Sequence, residues 1–457
     1  MLIRFSVENL FSFKERERLS LIPGLERLKK DHKGLAVNNV SALKTSVIYG
    51  ANASGKSNLI KALSFGKKLI LRKGMLPGQS IDQIPFKLDS FTQNKSSRLE
   101  YEIQSCGKNY AYGFVFNTTC IVEEWLYEIS KGKETMIFSR DKKGFNLDYV
   151  LTRNSKEDEK QFLKFLSKST LDNQLFLNKI FFSKTAGNVT DIKDLNNVLQ
   201  WFITKLTIIF PDDKYKEGIK SELTSNEKIK EIYKDLLHYF DTGIDNVCLT
   251  DIDVKKLNLP PHIYEAIKED LINSEQESIR STLSTPTNTY FLSKGKKDLR
   301  VQKFMTMHKI ANSKDTISFD TASESDGTNR LIDYIPVIID LMTSDKVFII
   351  DEMERSLHPN LIYDIFDLYL SHCAEKNSQL IIATHESSLL TQKLLRKDEI
   401  WFVVKDKEGA SHLNSLNEYN VRFDKQIRKD YLLGRFRGVP KFGSRFDIAP
   451  LFYSPKK

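Results

Sequence analysis

The chain has 457 residues, 40% hydrophobic and 28% charged, enough for a large core in a soluble globular protein of about two to four domains. No apolar run approaches the roughly 18 residues that span a bilayer, and Met1-Leu2-Ile3-Arg4-Phe5 reads as a strand and not as a signal peptide, so a membrane protein is excluded and the cytoplasm is expected. The net charge of +9 (69 basic against 60 acidic residues) favours anionic partners without choosing among nucleotide, nucleic acid and acidic protein.

Residues 2–21 alternate and then turn, with Leu2, Phe5, Val7, Leu10, Phe11 and Phe13 apolar, which predicts an N-terminal hairpin. A strand at Val47-Ile48-Tyr49 then delivers Gly50-Ala51-Asn52-Ala53-Ser54-Gly55-Lys56-Ser57, which opens onto Asn58-Leu59-Ile60-Lys61-Ala62-Leu63 and a helix running to about Leu71. Strand, glycine-bearing loop and helix form a phosphate loop. The glycines let backbone N–H groups turn inward at a helix N-terminus, where the macrodipole adds positive potential. Lys56 would reach the β- and γ-phosphates of ATP and Ser57 would ligate Mg²⁺. Gly50, Asn52, Ser54, Gly55, Lys56, Ser57 and Asn58 are the candidate nucleotide contacts of this segment.

From Phe86 to Tyr127 the pattern is β-rich and predicts an antiparallel meander beside the nucleotide site. Helical spacing between about Thr152 and Thr285 predicts a mainly helical insertion, which Pro211, Pro260-Pro261 and Pro286 prevent from being one coiled-coil arm. Tyr290-Phe291-Leu292 and Phe304-Met305-Thr306-Met307 flank the basic turn Lys294-Gly295-Lys296-Lys297 as a hairpin. The domains expected are 1–150 (phosphate-loop lobe), 151–310 (insertion), 311–410 (second lobe) and 411–457 (tail). Cys106, Cys120, Cys248 and Cys373 have neither disulfide nor zinc spacing.

Glu324-Ser325-Asp326-Gly327-Thr328-Asn329-Arg330-Leu331 opens a mostly apolar helix and is either a cap or a second anion-binding end. Val347-Phe348-Ile349-Ile350-Asp351-Glu352 is a buried, continuous apolar strand that ends in two carboxylates. The first could hold Mg²⁺ through water, and the second could orient and deprotonate the water that attacks the γ-phosphate. Gln379-Leu380-Ile381-Ile382-Ala383-Thr384-His385 is one more buried strand, expected beside the one carrying Asp351, so that His385 could sense the γ-phosphate. In the tail, Arg428, Lys429, Arg435, Arg437 and Lys441 interleave with Phe423, Tyr431, Phe436 and Phe442, a pattern that suits nucleic acid, a docked protein or a plain solvated end.

In this order the segments resemble the ABC-type ATPase heads shared by SMC proteins, RecF-like repair ATPases and the OLD (overcoming lysogenization defect) group. The resemblance identifies Gly50 to Ser57 as Walker A, Glu324 to Thr328 as a signature-like segment, Val347 to Glu352 as Walker B and His385 as the switch histidine. It implies an α/β P-loop NTPase fold of ABC-ATPase type, a mixed sheet with an antiparallel β subdomain and a helical insertion. It also implies Mg²⁺-dependent ATP hydrolysis with Glu352, His385 and Lys56 as catalytic residues and Ser57 and Asp351 as metal ligands. Such heads pair with a second copy, in a dimer or higher oligomer, so that Ser325, Gly327 and Thr328 of one face the phosphate loop of the other. The signature keeps only Ser325 and Gly327 of the usual Leu-Ser-Gly-Gly-Gln, and the Q-loop glutamine is either Gln83 or Gln93.

Glu354-Arg355-Ser356-Leu357-His358-Pro359, Leu395 to Asp406 and Asp430 to Pro440 are similar to the RloA/AbiLi-type ATPases of bacterial restriction and abortive-infection islands, as are Phe5 to Phe13 and Glu123 to Tyr127. That similarity implies an ATP-driven regulator in anti-phage defence, with a separately encoded effector such as a nuclease. About 50 residues follow Asp406, too few for the Toprim nuclease domain of OLD proteins. The alternative is a DNA-repair or chromosome-maintenance head of RecF or SMC type; the lack of a long heptad arm and of a zinc-hook cysteine pair weighs against the SMC form. A transporter nucleotide-binding subunit is a third possibility, disfavoured by the insertion.

Overall fold

The N-terminal alternation folds as expected: β1 (Leu2–Glu8) pairs antiparallel with β2 (Glu17–Ser20), placing Phe5 opposite Leu19, both fully buried. The computed structural model describes the chain except residues 27, 131, 154–156, 184–192, 216–225, 258–259, 273–279, 285–287, 295–298, 374–375, 420–426 and 440–457. It divides into one unit of Met1–Pro211, Ser344–Met353 and Phe366–Lys457 and another of Asp212–Thr343 and Glu354–Ile365.

In the first unit the strand predicted before the phosphate loop is β3 (Thr45–Tyr49), every residue of it buried, and the helix after the loop is α1 (Lys56–Leu71). The meander is β4 (Ser97–Ser105), β5 (Lys108–Phe116), β6 (Ile121–Ser130), β7 (Lys133–Asp141) and β8 (Gly144–Asn146), and it joins the N-terminal hairpin in a seven-stranded antiparallel sheet of order β2-β1-β4-β5-β6-β7-β8. Leu59, Ile60, Ala62, Leu63 and Ile70 of α1 recur at helical spacing and are all buried, each leucine or isoleucine contributing about 1.5–3 kcal/mol. Gly66 lets α1 approach β4 closely: a Cβ there would fall on the Tyr101 hydroxyl, which donates to the Leu63 carbonyl at 2.8 Å.

Among the described residues four helices follow, α2 (Asp148–Arg153), α3 (Glu157–Lys168), α4 (Phe176–Ser183) and α5 (Lys193–Gln200), and Leu163, Phe176, Ile180, Leu195 and Val198 from them share the core of α1 and both sheets of this unit. Buried Glu124 of β6 receives the Phe176 and Leu177 N–H groups at 2.7 and 3.1 Å, tying α4 to the meander; burial pushes its carboxyl above the usual range. After a π-helical turn, Trp201–Lys205, the chain forms β9 (Leu206–Ile209), a strand of the second sheet. Among the described residues the stretch expected as a mainly helical insertion, 151–310, holds more helix than strand; its first part packs into the core of the first unit, and the remainder mixes helices with strands.

That remainder lies in the second unit. Helix α6 (Glu227–Tyr239) precedes β10 (Asn246–Ile252), α7 (Pro261–Ile272), β11 (Arg280–Ser284), β12 (Thr289–Lys294), β13 (Leu299–Lys309) and β14 (Thr316–Asp320), with β13 pairing antiparallel to β10, β12 and β14. The predicted hairpin at Tyr290 to Met307 is β12–β13; residues 295–297 of its basic turn lie outside the described residues. Helix α8 (Asp326–Thr343) buries Ile332, Ile335 and Ile339 against Tyr233, Leu237 and Phe304, and the Tyr233 hydroxyl donates to the Ile332 carbonyl at 2.7 Å.

The second sheet of the first unit carries the chemistry. It adds β15 (Val347–Asp351), then, after α9 (Pro359–His372), β16 (Gln379–Ala383), β17 (Ile400–Lys405) and β18 (Ser411–Ser415), in the order β18-β17-β3-β16-β15-β9. All neighbours are parallel except the β17–β18 hairpin. Continuous runs such as Val347-Phe348-Ile349-Ile350 suit strands buried on both faces, and all four residues are fully buried. Among the described residues no helix is long and apolar enough to cross a membrane, and the four cysteines are free thiols.

Candidate nucleotide site

Parallel register brings the sequence motifs to one edge. Asp351 pairs with Ala383, Ala383 with Ile48, and Tyr49 with Phe402, so the phosphate loop after β3, the carboxylates closing β15 and His385 after β16 all leave the sheet at its C-terminal end. In the loop, Ala53 (φ 60°) and Gly55 (φ 114°) take left-handed conformations. The Ser54 N–H bonds the Ala51 carbonyl at 3.2 Å, and the Leu59 N–H closes the first turn of α1 on the Gly55 carbonyl at 3.0 Å.

Both loop glycines are sterically required. A Cβ on Gly50 would fall on Ser54 Oγ and lie 2.6 Å from the Val403 carbonyl, and one on Gly55 would fall on Ser411 Oγ and lie 2.7 Å from Ser12 Oγ. Lys56, the first residue of α1, is 6% exposed; its Nζ donates to the carbonyls of Gly50 (2.9 Å) and Ala51 (3.2 Å) and to His385 Nε2 (2.9 Å). Because an ammonium only donates, His385 accepts on Nε2. The histidine assigned to the γ-phosphate and the lysine assigned to the β- and γ-phosphates thus touch across two strands.

Two observations fit this loop to an anionic ligand. The first turn of α1 holds no acidic residue, and its N-cap Gly55 makes no side-chain cap, leaving the positive helix end to a ligand. Ser54 Oγ is buried without a hydrogen-bond partner. Asn52 is exposed, and half-buried Ser57 and Asn58 lie in the first turn of α1.

Asp351 is 2% exposed at the end of β15. Glu352, half-buried, has φ 50°, and its N–H bonds the Ala383 carbonyl at 3.0 Å, extending the β15–β16 ladder by one residue. A left-handed, non-glycine residue at a candidate catalytic position is stored backbone strain of about 1–2 kcal/mol. Among the described residues no group of three His, Cys, Asp or Glu side chains clusters as a metal site. A Mg²⁺ held by one hydroxyl, one carboxylate and substrate oxygens requires no such cluster.

The signature-like segment belongs to the second unit. Ser325 caps α8: its Oγ receives the Thr328 N–H at 3.1 Å and meets the Thr328 hydroxyl at 2.8 Å. Gly327 passes close to the Ser356 backbone, where a Cβ would stand 2.8 Å from the carbonyl oxygen. Glu324 receives His308 Nε2 at 2.8 Å. Of the two Q-loop candidates, Gln83 Nε2 bonds the Lys95 carbonyl (3.0 Å) and Ser97 Oγ (2.8 Å), and Gln93 Nε2 bonds the Lys87 carbonyl (2.8 Å).

The structure corrects part of the tail expectation. Tyr431 and Phe436 are buried and cannot stack on bases, because the segment carrying α10 (Ile427–Leu432) folds back on β3 and β17. Phe436 stacks on Phe402 at 5.0 Å, Tyr431 lies 5.5 Å from Tyr49, and Gly438 comes against Tyr431, Phe402 and the Cα of Gly50. Phe423, Lys441 and Phe442 lie outside the described residues. Phe436→Ala removes the outermost ring of this stack. The expected result is a loss of about 3–5 kcal/mol of docking, seen as faster tryptic cleavage at exposed Arg435 and Arg437 than in the parent; parental cleavage rates would show that the ring does not hold the segment.

Sequence reasoning missed Ser12 and Ser411. Ser12 stands inside the apolar stretch Phe11-Ser12-Phe13, and Ser411 is 357 positions from the loop residue it touches, so no local pattern links them to the phosphate loop.

The two sheets, the phosphate loop and the strand-end carboxylates make this a P-loop NTPase with an ABC-ATPase-like, mixed α/β fold. The family profile described as "AAA domain, putative AbiEii toxin, Type IV TA system" matches residues 46–184 and 253–391. No curated protein matches the chain. Solved structures similar to it include the SMC head domain from Thermotoga maritima, with 12% identity, 91% of this chain and 98% of that one covered, and a TM-score of 0.35. The SmcHead bound to the C-winged helix domain of ScpA is 13% identical, with 91% and 97% coverage and a TM-score of 0.37. An Smc head domain with an extended coiled coil, bound to the C-terminal domain of ScpA derived from Pyrococcus furiosus, is 13% identical, with 95% and 99% coverage and a TM-score of 0.38. Since the profile takes in more than half of the residues and spans the phosphate loop, the carboxylate strand and the histidine strand, the chain belongs to the AAA-domain family that carries this AbiEii and type IV toxin–antitoxin description.

Proposed function

We propose that the chain binds and hydrolyses ATP and uses the cycle to pair with a second copy of itself, regulating a separate effector, such as a nuclease, in an anti-phage defence system of the RloA/AbiLi kind. The observation that carries this is the direct contact of Lys56 Nζ with His385 Nε2 at the sheet edge where β15 also ends in Asp351 and Glu352. The family's toxin–antitoxin description supports a defence role over housekeeping repair.

Gly50, Asn52, Ser54, Gly55, Lys56, Ser57 and Asn58 would bind the phosphates, with backbone N–H groups and the ammonium as donors. Ser57 and Asp351 would hold Mg²⁺, which when bound neutralises charge on the phosphate oxygens. Glu352 would orient the attacking water and accept its proton. His385 would sense the γ-phosphate, exchanging its present partner Lys56 for the ligand. Ser325, Gly327 and Thr328, which lie in the other unit, would face the triphosphate of the second copy, as in ABC heads.

The test is the solution mass of the full-length Glu352→Gln variant with and without ATP. The expected result is an ATP-dependent dimer that Ser325→Arg disrupts while nucleotide binding survives. An unchanged monomer at saturating ATP would sink the paired-head cycle. Tight DNA binding that depends on ATP and falls steeply with salt, without any partner, would instead favour the repair class.

A further inference from the structure

The phosphate loop is held from behind by side chains that neither its motif nor its family assignment includes. Ser411, at the start of β18, is 1% exposed, and its Oγ lies 2.6 Å from the Ser54 carbonyl and 2.8 Å from Ser12 Oγ. Ser12, 7% exposed, receives Asn58 Nδ2 at 3.0 Å, and its carbonyl receives the Ser411 N–H at 2.8 Å. A hydroxyl carries a single proton, and an amide nitrogen and a carbonyl oxygen close the two ends. The direction is therefore determined: Asn58 donates to Ser12, Ser12 to Ser411, and Ser411 to the Ser54 carbonyl.

That final bond sets a peptide plane. The Ser54–Gly55 peptide is trans, and in a trans peptide the carbonyl and the following N–H point in opposite directions. Anchoring the Ser54 carbonyl on Ser411 turns the Gly55 N–H away from β18. The two serines also occupy the space where a Cβ on Gly55 would sit, packing against that residue at its φ of 114°. A loop whose peptides are oriented before the ligand arrives loses less conformational freedom on binding.

We infer that Ser411 is a positioning residue for the nucleotide: through the chain Asn58–Ser12–Ser411–Ser54 it presets the phosphate loop, and it does so from the C-terminal hairpin, so that β17–β18 is part of the nucleotide site. This rests on the ATP site proposed above. An orienting bond of this kind strengthens phosphate binding equally in ground and transition states, so its loss raises KM and leaves kcat nearly unchanged.

The experiment measures steady-state ATP hydrolysis, and melting with and without ATP, for the full-length parent and for Ser411→Ala, Ser12→Ala and Lys56→Ala. Ser411→Ala is expected to raise KM by about fivefold to thirtyfold, the loss of one bond to a loop carbonyl. Its kcat should stay within about twofold, and its nucleotide-free stability should fall by no more than about 1–3 kcal/mol, the cost of leaving the buried Ser54 carbonyl without its donor. Ser12→Ala, which leaves the Ser411–Ser54 bond in place, should raise KM less. A parental KM for Ser411→Ala overturns the inference, and so does an equal fall in kcat and in nucleotide-free melting temperature, which would make the serine only a packing residue. If the parent and Lys56→Ala respond to ATP alike, the ATP site itself is wrong and this inference falls with it. If they differ as expected and Ser411→Ala behaves as the parent, only the positioning role is lost.

Discussion

Replacing Lys56 with alanine is expected to remove the melting-temperature gain that ATP gives the parent protein and to bring hydrolysis to background. An ammonium that makes charge-assisted bonds to phosphate oxygens contributes about 1.5–3 kcal/mol per bond, so two such bonds lost weaken binding by at least a hundredfold. At an ATP concentration about a hundred times the parental Kd the parent gains about 2.7 kcal/mol, nearly all of which the variant forfeits. The fold itself should survive. The Nζ bonds to the Gly50 and Ala51 carbonyls and to His385, which is exposed, are made at the sheet edge and not within the apolar core. Nucleotide-free melting within about 1 kcal/mol of the parent, with no ATP response, is the combination that locates the triphosphate at the loop. A parental ATP response would place the nucleotide elsewhere.

The Glu352→Gln variant is expected to keep ATP affinity and lose turnover by about a hundredfold to ten-thousandfold, the contribution of a positioned general base. Glutamine keeps the shape and the left-handed backbone of position 352, whose N–H stays on the Ala383 carbonyl, and removes only the charge that would accept a proton. The backbone provides a second check. Glycine at 352 relieves the strain of φ 50°, so Glu352→Gly should melt no lower than Glu352→Gln while being equally slow. Single-turnover hydrolysis and nucleotide binding on the same samples separate the two steps. Turnover by Glu352→Gln at the parental rate would assign the base to another residue, and loss of binding would make Glu352 a ligand-holding group.

The phosphate loop, the carboxylate strand and the histidine strand were legible because each is a local statement. A buried strand needs an unbroken apolar run, as in Val347 to Ile350, and the residues just past its end must be polar, since the chain there meets water. The N-terminal hairpin and the β4–β6 meander were legible for the same reason, through alternation around short turns. The four-residue strand Leu206–Ile209 was not, because it continues directly from α5 and a π turn and is too short for its period to register. The tail misled because arginine and aromatic residues alternate in it, and alternation is silent on whether the rings face bases or Phe402.

By itself, then, the order of residues determined the strand that precedes the phosphate loop, the carboxylate strand and the histidine strand, and which loop can hold a phosphate, since those depend on neighbours within a few positions. Only the tertiary structure decided that Lys56 meets His385, that Ser12 and Ser411 stand behind Gly55, and that Tyr431, Phe436 and Gly438 close over Tyr49 and Gly50. Most of those pairs lie hundreds of residues apart, and parallel strands, which must be joined by long crossovers, put them side by side without leaving any periodic trace along the chain.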